Sequence, residues 1–543
     1  MTESFLLATY FVLLLFLALY ATHSYLILYY YLTSRRKSRK DHKTENSPPP
    51  LDHFPFVTIQ LPVYNEKYVI GRLLASVVNL DYPKDRYEIQ ILDDSTDETT
   101  FILSSLVEKY TSLGYNISLR HRPNRNGFKA GALREGLAFA RGDFLAIFDA
   151  DFIVPPDFLK KVLPYFFTSE KVAVVQTRWG HLNRDYSILT QGQALALDAH
   201  FLFEQDVKYQ KGLFINFNGT CGVWRKEAIL AAGGWQDDTL TEDLDLSYRA
   251  QLKGYKIIFL PDLVCPGELP IDVQGFKKQQ FRWTKGGIEV AKKILGVVLR
   301  TKLPWRIKFF SFTHLTCPFV YFILLLLSLL SLPIINLKVK YTELVINPLT
   351  SLGGDWATYY LSQSRVINFY YLALSLFTIF VLPFPITYIL SYCRTRNLEG
   401  KKVEGGNWFL VSFLLIGGFV SLSITNTLAC IQALLGKKTE FTRTPKFSVV
   451  GKEGSIRNKK YVPKPSPITF LEMGMGFYLL FTLIYSLSHW ELALAPFLLL
   501  YTLGFFFLSI SALYQHREFK LSFKNQWAET SQPAGERDGK RLF

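Results

Sequence analysis

The stretch Phe144-Leu-Ala-Ile-Phe-Asp-Ala-Asp151 decides how the chain is read: five apolar residues, then two aspartates one residue apart. Such a short apolar run, closed by a turn, reads as a β-strand. Three further runs follow the same plan. Val57 to Leu61 leads into Pro62-Val-Tyr-Asn-Glu66, Glu88 to Leu92 into Asp93-Asp-Ser-Thr-Asp97, and Ile117 to Arg120 into His121-Arg-Pro-Asn-Arg125. Helical patterns alternate with these runs, as in a parallel sheet with crossover helices. Ligands of such sheets bind outside the carboxyl ends of the strands, so the four polar loops are expected to converge on one site. Asp149 and Asp151 fall on the same side of an extended segment, a spacing that lets one or both hold a hard divalent cation, Mg²⁺ or Mn²⁺, whose other ligands are diphosphate oxygens and water. Alone the tripeptide is a weak signal, since Asp243-Leu-Asp245 repeats it and solvated acids at a strand end are the plain alternative.

Outward from this region the composition sets bounds. Of 543 residues, 49% are hydrophobic and 20% charged, which excludes a disordered chain and a disulfide-stapled miniprotein. The five cysteines form no CxxC pair, so neither a zinc site nor a disulfide framework is expected. A net charge of +16 would suit nucleic acid, anionic lipid or a phosphorylated substrate. Its placement decides against nucleic acid, because the basic residues flank apolar segments rather than gather on one soluble face.

Phe5 to Leu32 is long enough to span a bilayer, and the following cluster, Arg35, Arg36, Lys37, Arg39, Lys40 and Lys43, sets the next residues in the cytosol. Apolar segments return at about 310–335, 366–392, 407–435, 468–488 and 490–514. The basic loops 393–406 and 436–467 both favour the cytosol, so 407–435, with its Gly417-Gly418 break, is expected to re-enter or lie at the interface. That gives five spans, the amino terminus outside, the carboxyl terminus inside, and contact with membrane lipids. The units expected are an anchor at 1–34, a linker at 35–50, an α/β domain at 51–275, interfacial amphipathic helices at 276–309, two spans at 310–392, a cytosolic-side segment at 393–467, two spans at 468–514 and a basic tail at 515–543.

Two motifs follow the sheet. Thr241-Glu-Asp243 opens a helical pattern, where acids also suit the helix dipole. Gln279-Gln-Phe-Arg-Trp283 has the form Q-x-x-R-W, and with Lys277, Lys278 and Lys285 it also fits a basic helix lying on a membrane. Taken in order, Pro62 to Glu66, Asp93-Asp94, Asp149-Ala-Asp151, Thr241-Glu-Asp243 and Gln279-x-x-Arg282-Trp283, followed by membrane segments, resemble the family 2 membrane glycosyltransferases of the cellulose synthase superfamily. Gln176 to Asn183 and Phe217-Asn-Gly-Thr-Cys-Gly222 are most similar to the cellulose synthase-like mannan and glucan synthases and their bacterial relatives.

The resemblance implies an α/β glycosyltransferase domain of GT-A type, with a Rossmann-like, mostly parallel sheet, joined to an α-helical transmembrane bundle. It implies that Tyr64, Glu66, Asp94, Lys129, Asp149, Gln279 and Arg282 bind the nucleotide sugar, with Tyr64 stacked on the base, Asp94 accepting from it and Lys129 neutralising phosphate. Asp149 and Asp151 would hold the metal, and Asp243 would be the general base beside Glu242. The acceptor would meet Trp283, Phe217, Gly219, Thr220 and Cys221, with Trp179 and His181 also placed there; for His181 a structural hydrogen bond is an equal alternative. Phe441-Thr-Arg-Thr-Pro-Lys446 resembles the F-x-V-T-x-K gating loop, with Arg443 where the family has Val, and Phe441, Thr444 and Lys446 would close over the donor.

The function expected is inverting, metal-dependent transfer of a hexose from GDP-mannose or UDP-glucose to a growing β-linked polysaccharide, with translocation, in a plasma, inner or Golgi membrane. A non-processive transferase acting on a glycolipid acceptor shares the same motifs. A transporter with a nucleotide-binding domain is disfavoured, since the spans are read as almost free of ionisable residues. The sequons at Asn116 and Asn218 lie in the domain placed in the cytosol.

Overall fold

A computed structural model describes residues 2–41, 48, 51–346, 356–400, 402, 407–441, 443–455, 459, 461 and 464–530. All four expected strands form: β1 (Val57–Val63), β2 (Tyr87–Asp93), β3 (Ile117–His121) and β4 (Phe144–Ile147). Three more complete the sheet: β5 (Val172–His181), β6 (Gly222–Arg225) and β7 (Lys256–Gly267). The order is β3-β2-β1-β4-β6-β5-β7, and only β6 runs antiparallel to its neighbours. The chain moves outward from β1 through β2 to β3, then returns to lay β4 on the other side of β1. This reversal opens the crevice where α/β sheets bind ligands, between the loops after β1 and β4.

The apolar strand faces explain the layering. Ile59, Leu61, Ile89 and Phe148 enter one core, and Leu92, Leu145, Ile147 and Trp224 enter a second on the opposite face. Alternate residues of each strand thus bury on both sides, which the sequence shows as runs with no polar alternation. The mixed, mostly parallel α/β architecture is the one the resemblance implies.

Five helices are long and apolar enough to cross a membrane among the described residues: Glu3–Thr33, Phe319–Thr342, Ile367–Leu398, Ile468–Ser488 and Ala495–Glu518. Leu410–Ser421 and Ser423–Leu434 form a pair bent by 44°, a broken span or a re-entrant loop. The segment expected at 310–335 is divided, because one helix, Trp305–Thr316, ends before Pro318 and the apolar helix begins at Phe319. The first helix also continues to Asp41, through most of the basic stretch expected as a linker.

The helix Val273–Arg300, which carries Gln279, Arg282 and Trp283, differs most from its expected setting. It is a wedge between the sheet domain and the bundle. Lys277 and Lys285 are buried instead of facing outward. Lys277 donates to Glu472 of the Ile468–Ser488 helix, and Thr425 Oγ1 donates to the other oxygen of Glu472 at 3.0 Å. Lys285 donates to Thr439 Oγ1 at 2.8 Å, and Lys292 reaches the carbonyls of Ala433 and Leu434 at 3.0 Å each, where helix-end carbonyls lack partners. The expectation of spans nearly free of ionisable residues is corrected by Glu472 and by the buried pair Lys338 and Glu491.

Removing one member of a buried ion pair leaves an uncompensated charge, at a cost of about 3–5 kcal/mol, whereas an apolar pair is often tolerated. Lys277→Met alone is expected to lower the thermal midpoint in detergent sharply, and adding Glu472→Leu to recover most of the loss. A double variant no more stable than the single one counts against the pair as the link between helix and bundle.

Candidate active site

The polar loops do converge. One cavity of about 190 Å³ is lined by Tyr64, Glu66, Asp94, Lys129, Asp149 and Asp151, by Trp179, His181, Gly219, Glu242 and Asp243, by Gln279, Arg282 and Trp283, and by Phe441, Thr444 and Lys446. Thus 17 of the 20 residues singled out as binding or catalytic line one space. Five of its lining residues present buried polar atoms with no hydrogen-bond partner: Arg125 Nε, Trp179 Nε1, Thr241 Oγ1, Arg282 Nε and Thr444 Oγ1. Buried polar groups are rarely left unpaired, so such atoms point to a ligand.

Each carboxylate is held by a cation from a different part of the chain. Lys129 Nζ meets Asp149 Oδ1 at 2.5 Å and the Gly219 carbonyl at 2.9 Å. Lys446 Nζ meets Asp151 Oδ2 at 2.8 Å. Burial works against charging Lys129, but Asp149, Glu242 and Asp243 outweigh it and hold its ammonium above the usual range. Burial likewise pulls the Arg282 guanidinium down, opposed by Glu242, Asp149, Asp243 and Asp151. Two acids of the cavity move far: burial first and the Glu242 charge second raise Asp243 to about 7, against the pull of Lys129 and Arg282, and burial raises Glu66 to about 8, against the pull of Arg443.

The loop after Phe217 explains both a success and three corrections. Gly219 adopts φ +82°, and a side chain there would stand 3.0 Å from Asp243 Oδ2, so glycine lets the backbone pass beside the acid. Phe217 does not line the cavity; it is fully buried, edge-on to Trp224 with ring centroids 5.7 Å apart. Cys221 also turns into the core, and its amide donates to the Ile147 carbonyl at 2.8 Å. Thr220 is buried too, and its hydroxyl accepts from the Asp149 amide at 2.8 Å, fixing the acid rather than facing the cavity. His181 Nε2 bonds Asp198 Oδ1 at 2.9 Å, so of the two alternatives weighed for it the structural hydrogen bond is present.

Several participants were not singled out in the sequence. Arg122 grips both oxygens of Asp94, at 2.6 Å each, which leaves Asp94 fewer free lone pairs than a base acceptor would have alone. Arg125 lies 3.5 Å over the Tyr64 ring and donates to the Phe441 carbonyl at 3.0 Å. Arg443 forks onto Glu66 at 2.8 and 2.9 Å, and Arg282 stands 4.3 Å over the Phe441 ring. The signal for Arg122 and Arg125 was the basic loop after β3, and for Arg443 the departure from the gating-loop pattern. Asp149 and Asp151 supply the oxygen donors that a hard cation takes, and such a cation would need its remaining ligands from phosphate and water; no group of three or more His, Cys, Asp or Glu arranged for a metal occurs among the described residues.

Comparison with known proteins identifies the family. Residues 55–286 match the model of the glycosyltransferase-like family 2. Glucomannan 4-beta-mannosyltransferase 7 of Arabidopsis thaliana is 30% identical over 499 residues, covering 89% of this chain and 82% of its own. Glucomannan 4-beta-mannosyltransferase 1 of Oryza sativa subsp. japonica is 42% identical over 256 residues, 46% of this chain and 49% of its own. Among solved structures, a mannosyltransferase from Pyrobaculum calidifontis in complex with GDP-Man and Mn²⁺ is 21% identical with a TM-score of 0.44, covering 72% of this chain and 99% of that one. The chain belongs to the family 2 glycosyltransferases, in the cellulose synthase-like group of the glucomannan 4-beta-mannosyltransferases.

Proposed function

We propose that this glycosyltransferase transfers mannose, from a nucleotide sugar, to the end of a growing β-1,4-linked mannan or glucomannan and feeds the product into its membrane bundle. The observation that carries the reading is that three neighbouring cavities share wall residues. The first shares Trp179, Asn218, Asp243 and Trp283 with a second of about 450 Å³. The second shares Glu204, Trp283, His314 and Tyr321 with a third of about 430 Å³ that reaches Tyr20 and Tyr388 among the apolar helices. In that third cavity the buried His23 Nε2 has no hydrogen-bond partner, one that a glycan hydroxyl can supply and an acyl chain cannot, which favours a polymer over the glycolipid acceptor. The names of the relatives favour GDP-mannose over UDP-glucose as donor.

In this reading Asp243 takes the proton of the acceptor hydroxyl as its oxygen bonds the anomeric carbon. The bond from that carbon to the diphosphate breaks on the opposite face, and the configuration inverts. Lys129, Arg282 and Lys446 supply positive charge where the leaving diphosphate becomes more negative. A divalent cation held by Asp149 and Asp151 would act as a Lewis acid on the diphosphate. Arg125 lies on the Tyr64 face that a base would use and must move aside when donor binds.

Purified protein in detergent, given GDP-mannose and a β-1,4-linked mannooligosaccharide with Mg²⁺ or Mn²⁺, is expected to release GDP and lengthen the acceptor by many residues. EDTA and Asp151→Ala should each suppress this. Addition of a single sugar to lipid, with no polymer, defeats the proposal. Asp243→Asn should lose about 10²–10⁴ in kcat with donor affinity retained. Because a base must be deprotonated, kcat/KM of the parent should fall about tenfold per pH unit below about 7, the value to which burial and the Glu242 charge raise Asp243 in the ligand-free protein. A flat profile from pH 5 to 8 removes Asp243 from that role.

The orientation proposed is that of five spans, with the bent pair re-entering and the loop 436–467 in the cytosol beside Asp243. Single cysteines at Ser455 and at Ser351, which lies outside the described residues, test it in a cysteine-free protein. An impermeant maleimide added to intact cells should label only Ser351→Cys; equal labelling of Ser455→Cys makes the pair a sixth span.

A further inference from the structure

A further cavity, of about 220 Å³, lies where the sheet domain meets the bundle. Its walls come from the sheet-domain helix Ile188–Ala199, from the arm Leu410–Ser421 of the bent pair, and from the membrane helix Ala495–Thr530. Glycine shapes it. A Cβ on Gly504 would strike the Gly417 backbone, so these two helices touch there, yet one residue on, at Gly418, a Cβ would meet nothing within 4 Å. Among the described residues on the walls Gln193 is the one polar side chain, and its amide nitrogen already donates to the carbonyls of Leu189 at 3.2 Å and Pro270 at 2.8 Å. Water needs several polar partners and a sugar needs groups that bond its hydroxyls; these walls offer neither.

Exposed apolar side chains mark its rim: Ile188, Leu503 and Phe507. On the helix Ala495–Thr530 the exposed residues Leu503, Phe507, Ile510, Tyr514 and Arg517 recur every three or four positions, so they form one stripe. Toward the carboxyl terminus this stripe passes from apolar side chains to a phenol and then to a guanidinium. A phospholipid has the same order from tail to headgroup, since Tyr suits the membrane interface and Arg binds phosphate with a fork of donors. Phe507 and Arg517 stand ten residues apart, about 15 Å along the helix, within the depth of one leaflet's hydrocarbon. We infer that this cavity is a phospholipid site, in which one acyl chain fills the gap between sheet domain and bundle while Arg517 holds the phosphate. The chain completes the packing that Gly192 and Gly418 leave open on opposite walls. The site does not depend on which sugar the enzyme transfers.

The test places the full-length protein in phosphatidylcholine nanodiscs with a trace of phosphatidylcholine that carries a diazirine in one acyl chain, and maps the residues labelled on photolysis. Labelling is expected within residues 189–193, where Gly192 and Gln193 are buried, as well as at Phe477 and Phe481, which are exposed on the helix Ile468–Ser488. Gly418→Leu and Gly192→Leu fill the cavity from its two sides. Each should abolish the labelling of 189–193 and leave that of Phe477 and Phe481 unchanged; where one variant does not fold, the other decides. No labelling of 189–193 in the parent, or labelling that both variants retain, overturns the site. A diazirine-bearing sterol that labels 189–193 in preference to the phospholipid overturns it too. In delipidated detergent solution, added phosphatidylcholine should raise the thermal midpoint of the parent by more than that of Arg517→Gln, and equal rises overturn the headgroup contact.

Discussion

Four carboxylates, Asp149, Asp151, Glu242 and Asp243, crowd the carboxyl ends of the sheet, and the structure depends on how their mutual repulsion is balanced. The domain itself supplies Lys129; the other cations come from outside the strands, Arg282 from the long helix and Lys446 from the loop that follows the bent pair. Charge at the site is therefore shared among three regions far apart in the chain. Each cation sits where a diphosphate would also need it, so the contacts that hold the ligand-free site together are ones a donor can exchange.

The helix Val273–Arg300 turns this shared charge into architecture. Its outer turns present Gln279, Arg282 and Trp283 to the cavity while its buried lysines reach the other way, Lys277 to Glu472 and Lys285 to the chain beyond the bent pair. A lysine has a long apolar stem with one charged end, which allows it to cross a packed interface and still find a partner. The same helix thus fixes these cavity-lining side chains, the bundle and the root of the loop that carries Phe441 relative to one another.

That loop shows what a single departure from a pattern can do. Where the family has Val, Arg443 makes a two-pronged contact with Glu66, and Arg125, stacked on Tyr64, holds the Phe441 carbonyl. The loop lies over the donor site through side chains from β1, β3 and the bundle together. Planar guanidinium groups suit this, since they stack on rings and bond in the plane at once.

Much of the fold was legible in the sequence. Unbroken apolar runs gave β1 to β4, long apolar segments gave the spans, and the motifs after the strands marked the cavity, because strand formation and membrane partition depend on local pattern. The direction of a side chain within a loop was not legible, so Phe217, Thr220 and Cys221 were expected in the cavity, yet two fill the core and the third supports Asp149. Nor could local pattern pair Arg443 with Glu66, 377 residues apart, or Lys277 with Glu472, 195 residues apart. The sequence alone determined which elements form and which residue types gather at the strand ends. Only the tertiary structure decided which charges meet and that the cavities share walls, because a buried charge takes its partner by proximity in space, and proximity across hundreds of residues is set by packing.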